Sequence, residues 1–270
     1  MVDYHTHTSL SDGSETPEAL LKHAVEAGVT ELAITDHDTI DALSDSLIAD
    51  APLKLIPGVE LSANWGPGTM HIVGLNIDIH NRELMERLNF LKEERLNRTP
   101  KIVKKLKSIG IEITEEEINK QAGRGSVSRN HIASLLVDKG YVADRIEAFD
   151  KYLKKGAPAY FDKVRLNPEE CVKLIKQAGG KALLAHPAQL KLGPKEEEKT
   201  IAELIKFGLE GLETVSSHHS EEERNRYGAL ADSLGLFQSV GSDYHGDVKP
   251  DVSLGVDELP LSRRYHEIWN

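Results

Sequence analysis

Short apolar runs and helical patterns alternate along this chain. Seven runs read as strands: Val2 to Thr8, Thr30 to Asp36, Leu53 to Glu60, Met70 to Ile77, Lys181 to His186, Leu209 to Ser216 and Leu236 to Ser242. The clearest helix begins at Thr16-Pro17-Glu18, a cap residue followed by proline at the first helical position. It runs through Leu20, Ala24 and Ala27 and stops at Gly28. Similar helical units cover Asn167 to Gly179 and Ser220 to Gly235, each followed at once by a strand pattern. Strand and helix in alternation predict a parallel sheet, and seven repeats predict an α/β barrel closed on itself.

The stretch from 81 to 165 breaks that rhythm. Leu84, Leu88 and Leu91 have helical spacing, Ile102, Val103, Leu106 and Ile109 continue it, and no strand pattern intervenes. Further helical segments at Thr114 to Lys120 and Arg129 to Lys139 are joined by Gly123-Arg124-Gly125-Ser126. The pattern therefore predicts a barrel built from 1–80 and 166–270, with 81–165 inserted as a helical subdomain between the fourth and fifth strands.

Charge separates the same two parts. The chain carries a net charge of −11. Segment 81–165 holds 19 basic against 13 acidic residues, which leaves the barrel segments strongly acidic. A basic insertion fits a phosphorylated substrate, and bound cations would neutralise part of the acidity elsewhere. At 270 residues with 39% hydrophobic content the chain can fill one substantial core. One cysteine, Cys171, excludes an internal disulfide and sits in a helical run as a small apolar residue. The start enters a strand pattern without a basic and apolar leader, and no run reaches the length of a membrane span, so a cytoplasmic protein is expected.

Chemistry collects where the strands end. His5-Thr6-His7, Asp12, Thr35-Asp36-His37, Gly58-Val59-Glu60, His71, Ala185-His186-Pro187 and Ser242-Asp243-Tyr244-His245 follow in order, nearly all closing an apolar run. Side chains alternate faces in extended backbone, so His5 and His7 project together and can share one cation. Imidazoles and carboxylates at successive strand ends predict a multinuclear metal site at a barrel mouth. His71 lies among the apolar residues of Met70-His71-Ile72-Val73-Gly74, where an unpaired imidazole would be costly, which favours a ligand. Asp36 and Asp38 flank His37 and are expected either to orient an imidazole or to cap the next segment.

These motifs, in this order and complete, resemble the PHP (polymerase and histidinol phosphatase) family from Val2 to at least Gly246. The resemblance implies a distorted (β/α)7 barrel and up to three divalent metals. It implies that His5, His7, Glu60 and Asp243 hold one metal, that Asp12, His37 and His245 hold a second, and that Glu60, His71 and His186 hold a third. Glu60, Asp243 and His245 are then the residues expected to matter most for catalysis. Mixed imidazole and carboxylate ligands accept manganese, zinc and iron alike.

Three further residues are candidates for substrate. In Ser126-Val127-Ser128-Arg129-Asn130-His131, serines precede a helix whose first turn carries Arg129 and His131. Free amides and a guanidinium suit an anion there, and the family group with a similar insertion implies contact with substrate phosphate. His218 and His219 follow the sixth strand at the barrel mouth, where one of them, taken as His219, meets substrate or the leaving group. His23, His80 and His266 fall outside any motif.

A metal pair can lower the pKa of water enough to supply hydroxide near neutral pH, and neither a Gly-x-Ser-x-Gly elbow nor a P-loop offers a rival. The expected activity is hydrolysis of phosphate monoesters of small nucleotides. The insertion, Ala178-Gly179-Gly180 and Gly241-Ser242-Asp243 most resemble family members acting on AMP or 3′,5′-nucleotide bisphosphates. Alternatives are histidinol-phosphate phosphatase, 5′-end trimming of short RNA, and a non-catalytic metal-binding module. With 5% aromatic residues, an extended groove for long nucleic acid is not expected.

Overall fold

The computed structural model describes residues 1–66, 68–123 and 127–257. Arg124, Gly125, Ser126 and His266, which entered the sequence reading, lie outside the described residues. Strands β1 Val2–Thr6, β2 Glu31–Ile34, β3 Lys54–Ser62, β4 His71–Leu75, β5 Lys181–Leu184, β6 Gly211–Ser216 and β7 Phe237–Gly241 hydrogen-bond in sequence order. Helices α1 Pro17–Glu26, α2 Asp45–Ala49, α3 Arg82–Ser108, α4 Glu115–Ala122, α5 Arg129–Asp138, α6 Arg145–Ala148, α7 Pro168–Gln177, α8 Pro194–Phe207 and α9 Glu221–Leu234 connect them. Caps match the sequence signals: Thr16 accepts the Ala19 amide at α1, and Asn167 and Ser220 form capping boxes with Glu170 and Glu223.

The sheet is a nearly closed seven-stranded barrel, but it is not wholly parallel. β3 pairs antiparallel with β4, and β4 antiparallel with β5, while the other neighbours run parallel. The cause is local. A parallel return needs a crossover of about a dozen residues or more, and the link from Ser62 to His71 is too short for one, with no helix among its described residues. Closure comes from β1 and the segment after β7: the Asp243 amide donates to the His5 carbonyl at 2.9 Å and the His7 amide to the Tyr244 carbonyl at 2.9 Å.

One buried cluster draws on every strand, with Val2, Tyr4, Ala33, Ile56, Val73, Leu183, Val215 and Val240 among its members, and this is the filling of the barrel. The outward faces of β2 and β3 pack under α1 through Leu20, Leu21, Ala24, Leu32, Ile34 and Leu55. Val2 and Tyr4 belong to the filling, yet His5 and His7, of opposite parity, lie in the donor cluster described below. The pairing register of β1 shifts between Asp3 and Thr6, and such a shift re-aims the following side chains.

The chain divides into two compact units, Met1–Leu88 with the residues from Arg165 onward, and Asn89–Val164. The second unit has its own apolar centre, including Ile102, Leu106, Ile113, Ile118, Ile132 and Leu136. Among the described residues, no helix is long and apolar enough to cross a membrane.

Candidate metal centre

Glu60 occupies the middle of a ring of imidazoles. Its Oε1 lies 2.8 Å from His71 Nδ1, 3.0 Å from His186 Nε2 and 3.2 Å from His5 Nε2. Its Oε2 lies 2.8 Å from His37 Nδ1 and 3.3 Å from His7 Nε2. The sheet explains the first contact: Glu60 faces Val73 and Ser62 faces His71, so Glu60 and His71 are diagonal neighbours on one face of the β3–β4 pair. Asp12 stands to one side, 3.4 Å from His245 Nε2 and 3.8 Å from both His7 Nδ1 and His37 Nε2.

Donor atoms fall into three overlapping groups, each compact enough to surround an ion: His7, Asp12, His37 and His245; His5, His7 and Glu60; His37, Glu60 and His71. Seven of the nine residues singled out as ligands from sequence fall in these groups; His186 adjoins them through Glu60, and Asp243 through His5 and His7. The grouping by distance differs in detail from that implied by the family, since His7 also approaches Asp12 and His37 also approaches Glu60 and His71.

Backbone conformation and buried carboxylates together place these groups. Asp243 has φ 57° and His186 φ 25°, left-handed conformations that cost a residue with a β-carbon and cluster at functional sites. Gly241 lets β7 approach β1 closely, because a β-carbon there would stand 2.3 Å from His5 Cβ and 2.7 Å from a Glu213 oxygen. The loop carrying Asp12 is pinned by Asp36, which accepts from the Thr8 amide at 2.7 Å, the Thr8 hydroxyl at 2.6 Å and the Ser11 hydroxyl at 2.5 Å. Asp38 accepts from the Ser62 amide at 2.9 Å and the Ser62 hydroxyl at 3.1 Å, tying the end of β3 to the loop after β2.

Glu213, absent from the sequence reading, fixes two imidazoles at once. One carboxylate oxygen lies 3.0 Å from His5 Nδ1, and the other accepts the His186 amide at 2.5 Å. With Nδ1 engaged, His5 directs Nε2 at Glu60. His245 is held in the same way, its Nδ1 lying 2.8 Å from the Asp243 carbonyl while Nε2 faces Asp12. A signal for Glu213 did exist: a carboxylate in the middle of the apolar strand Gly211-Leu212-Glu213-Thr214-Val215.

The electrostatics follow from burial and crowding. Burial works against ionised Glu60, but the imidazoles of His37, His71 and His5 outweigh it and hold its carboxyl well below the usual range. Asp12 is likewise lowered against its burial, chiefly by the nearby imidazoles of His37 and His245. Burial with its neighbours His245 and His37 pushes His7 down to about 3, and burial pushes His71 down to about 4. His5 goes the other way: burial opposes its imidazolium, but Glu60 and Glu213 raise it well above the ordinary value.

The substrate candidates sit differently. His219 is buried, with Nδ1 3.2 Å from the Thr214 carbonyl and its ring 4.8 Å from that of Tyr227, and burial lowers its pKa. The histidine that reaches the ring is His218, whose Nε2 lies 2.6 Å from Asp243 Oδ2. In the second unit, Arg129 donates to the Leu153 carbonyl at 3.0 Å and lies over the rings of Phe149 and Tyr160. The His131 Nδ1 accepts the Ser128 amide at 3.1 Å. Cys171 is fully buried on α7.

Histidines and carboxylates gathered at the rim of an α/β barrel define a metallohydrolase-type site. The chain belongs to the PHP domain family, whose model matches residues 3–207. It is 38% identical to the 5′–3′ exoribonuclease Rnm of Escherichia coli, over 99% of this chain and 92% of that protein. It is 34% identical to a 3′,5′-nucleoside bisphosphate phosphatase of Chromobacterium violaceum, over 99% and 95% respectively. A solved amidohydrolase structure from Chromobacterium violaceum, with sulfate bound and no metal, superposes with a TM-score of 0.84 at 33% identity, covering 99% of this chain and 95% of that one. The chain is accordingly a phosphoesterase of the hydrolase class.

Proposed function

We propose that this protein hydrolyses a phosphate ester of a small nucleotide, of the AMP or 3′,5′-nucleotide bisphosphate type. Two to three divalent cations would be held by His5, His7, Asp12, His37, Glu60, His71, His186, Asp243 and His245. The observation that carries the proposal is the buried donor set itself. His5 Nε2, both ring nitrogens of His7, Asp12 Oδ1, Glu60 Oε2 and His186 Nδ1 are buried and make no hydrogen bond. Two pairs of these atoms nonetheless lie within 4 Å: His7 Nδ1 with Asp12 Oδ1 and His7 Nε2 with Glu60 Oε2. Buried polar atoms left so are costly unless a cation satisfies them, and imidazole with carboxylate suits manganese, zinc or iron.

Such cations, when bound, supply Lewis acidity toward phosphoryl oxygens and lower the pKa of water. The chain's own groups set where this happens. Glu60, with Asp243 and His245, would be central because each carboxylate oxygen of Glu60 faces a different set of imidazoles. Glu213 and the Asp243 carbonyl orient His5 and His245, so little reorganisation is needed when charge develops. His5, His7 and Glu60 form a floor closed to solvent, while the side chains of Asp12 and His37 are 36% and 18% exposed. Substrate would therefore arrive over Asp12, His37 and His71.

Phosphate is a tetrahedral oxyanion like the sulfate of the Chromobacterium structure, and a bisphosphate phosphatase stands among the relatives. Arg129 and His131 are proposed to serve the substrate's second phosphate, the helical segment 81–165 being the substrate-binding part. A role for His219 at the leaving group belongs to the same proposal, as does a cytoplasmic location.

The second reading is removal of nucleotides from the 5′ end of short RNA, favoured by the relative at 38% identity. Protein reconstituted with Mn²⁺ should be assayed for phosphate release from 3′-phosphoadenosine 5′-phosphate, AMP and histidinol phosphate, and for mononucleotide release from a short 5′-phosphorylated RNA. The bisphosphate is expected to have the highest kcat/KM. Faster turnover of RNA or of histidinol phosphate would reverse the ranking.

A further inference from the structure

Asp243 divides its carboxylate between two environments. Oδ1 faces the buried imidazoles, 3.2 Å from His7 Nε2 and 3.6 Å from His5 Nε2. Oδ2 meets two donors at once, His218 Nε2 at 2.6 Å and Lys249 Nζ at 2.6 Å. The side chains of His218 and Lys249 are 29% and 32% exposed, against 5% for Asp243. Among the described residues, His218 belongs to none of the ion-sized donor groups. Both His218 and Lys249 are partly exposed, whereas Asp243 is buried.

The two donors differ in freedom. His218 follows β6 on a short side chain with two torsions. Lys249 follows the turn Gly246–Val248, and its amide donates to the Gly246 carbonyl at 3.0 Å, so its root is fixed while its four-carbon stem remains jointed. An oxygen that accepts two donors loses one at smaller cost than an oxygen with a single partner, because the second bond stays in place. A phosphate ester offers an ammonium more negative charge than half of a shared carboxylate oxygen. It also suits a compact point charge, needing no planar fork.

We infer that Lys249 is a substrate-binding residue: its ammonium leaves Asp243 Oδ2 to take an oxygen of the incoming phosphoryl group, while His218 keeps Asp243 oriented. The ligand class is a tetrahedral phosphate dianion, so the inference deepens the phosphoesterase function proposed above and rests on it. No period or motif marks Lys249 in the sequence. Its place is set by the turn after β7.

The test uses the full chain loaded with Mn²⁺, as the parent, Lys249→Met and Lys249→Arg. Calorimetry gives Kd for inorganic phosphate, steady-state phosphate release gives KM and kcat, and elemental analysis gives metal content. Lys249→Met is expected to weaken phosphate binding and raise KM about tenfold or more, with kcat changed less and metal content as in the parent. Lys249→Arg is expected to recover part of the affinity. Lys249→Gln serves the same comparison should the Met variant aggregate. Unchanged Kd and KM overturn the inference, as does a fall in metal content that accounts for the whole loss, which would leave Lys249 as a support for Asp243 alone. A parent that neither binds nor hydrolyses phosphate esters overturns the phosphoesterase function and the inference with it, whereas an active parent with an indifferent Met variant overturns the inference only.

Discussion

His71 Nδ1 and His186 Nε2 face each other at 3.3 Å, and both point at the same oxygen of Glu60. One carboxylate oxygen can accept from both rings, so Glu60 is the negative charge on which the two imidazoles converge. Replacing Glu60 by Gln keeps the shape but removes the charge at the centre of five imidazoles. The expected outcome is loss of bound metal, read by elemental analysis, and a fall in kcat of two orders of magnitude or more. Full metal content with near-parent activity in Glu60→Gln would falsify the central role of this carboxylate. Chelation of the parent should also lower Tm, because ligands that bind only the folded state stabilise it by mass action.

Glu213 orients His5 and caps the His186 amide without itself joining a donor group. Glu213→Gln retains one acceptor, so folding should survive, but His5 loses the carboxylate that directs its Nε2. Metal affinity is expected to fall about 10- to 100-fold, the usual cost of removing such a support. Titration of the metal-free variant with Mn²⁺ against the parent checks this. Equal affinities would assign Glu213 to barrel packing alone.

Asp3 supplies a pH signature. It is fully buried and accepts from the Ser242 amide at 2.9 Å and the Gly255 amide at 2.8 Å, yet burial dominates and pushes its pKa up to about 6. The folded state therefore holds this proton more tightly than the unfolded chain, in which an aspartate titrates near ~3.9. Stability from this group is present below about pH 4 and is lost as pH rises toward about 6, on the order of 3 kcal/mol in all. In metal-free protein, urea denaturation at a series of pH values should show a steeper loss across this window for the parent than for Asp3→Asn. Parallel curves would remove the effect.

Arg129 tests the helical segment. Arg129→Ala is expected to raise KM for a doubly phosphorylated substrate severalfold with metal content unchanged. Because Arg129 also holds the Leu153 carbonyl, Tm should be followed in parallel. A drop in Tm with unaltered KM would make its role structural.

Much of this was legible in the residues. Each of the seven apolar runs became a strand, and the cap at Thr16-Pro17 began a helix where expected. The direction of β4 was not legible, since period-two patterning looks the same whichever way a strand runs, and only the shortness of the link between Ser62 and His71 hinted at reversal. Nor was the register shift in β1, without which His5 and His7 would turn away from the face that Val2 and Tyr4 fill. The choice between His218 and His219, and the place of Lys249, were not legible for another reason: they depend on loops after β6 and β7 whose paths no local pattern encodes.

The reversal of β4 also bears on the order of assembly. Glu60 and His71 sit on one hairpin and meet as soon as β3 and β4 pair, a contact between near neighbours along the chain. His5 and His245 come together only when the two ends of the described barrel join. Local pairings form sooner than those that must first close a long loop. A nascent chain thus possesses a two-donor foothold for a cation well before the remaining ligands arrive.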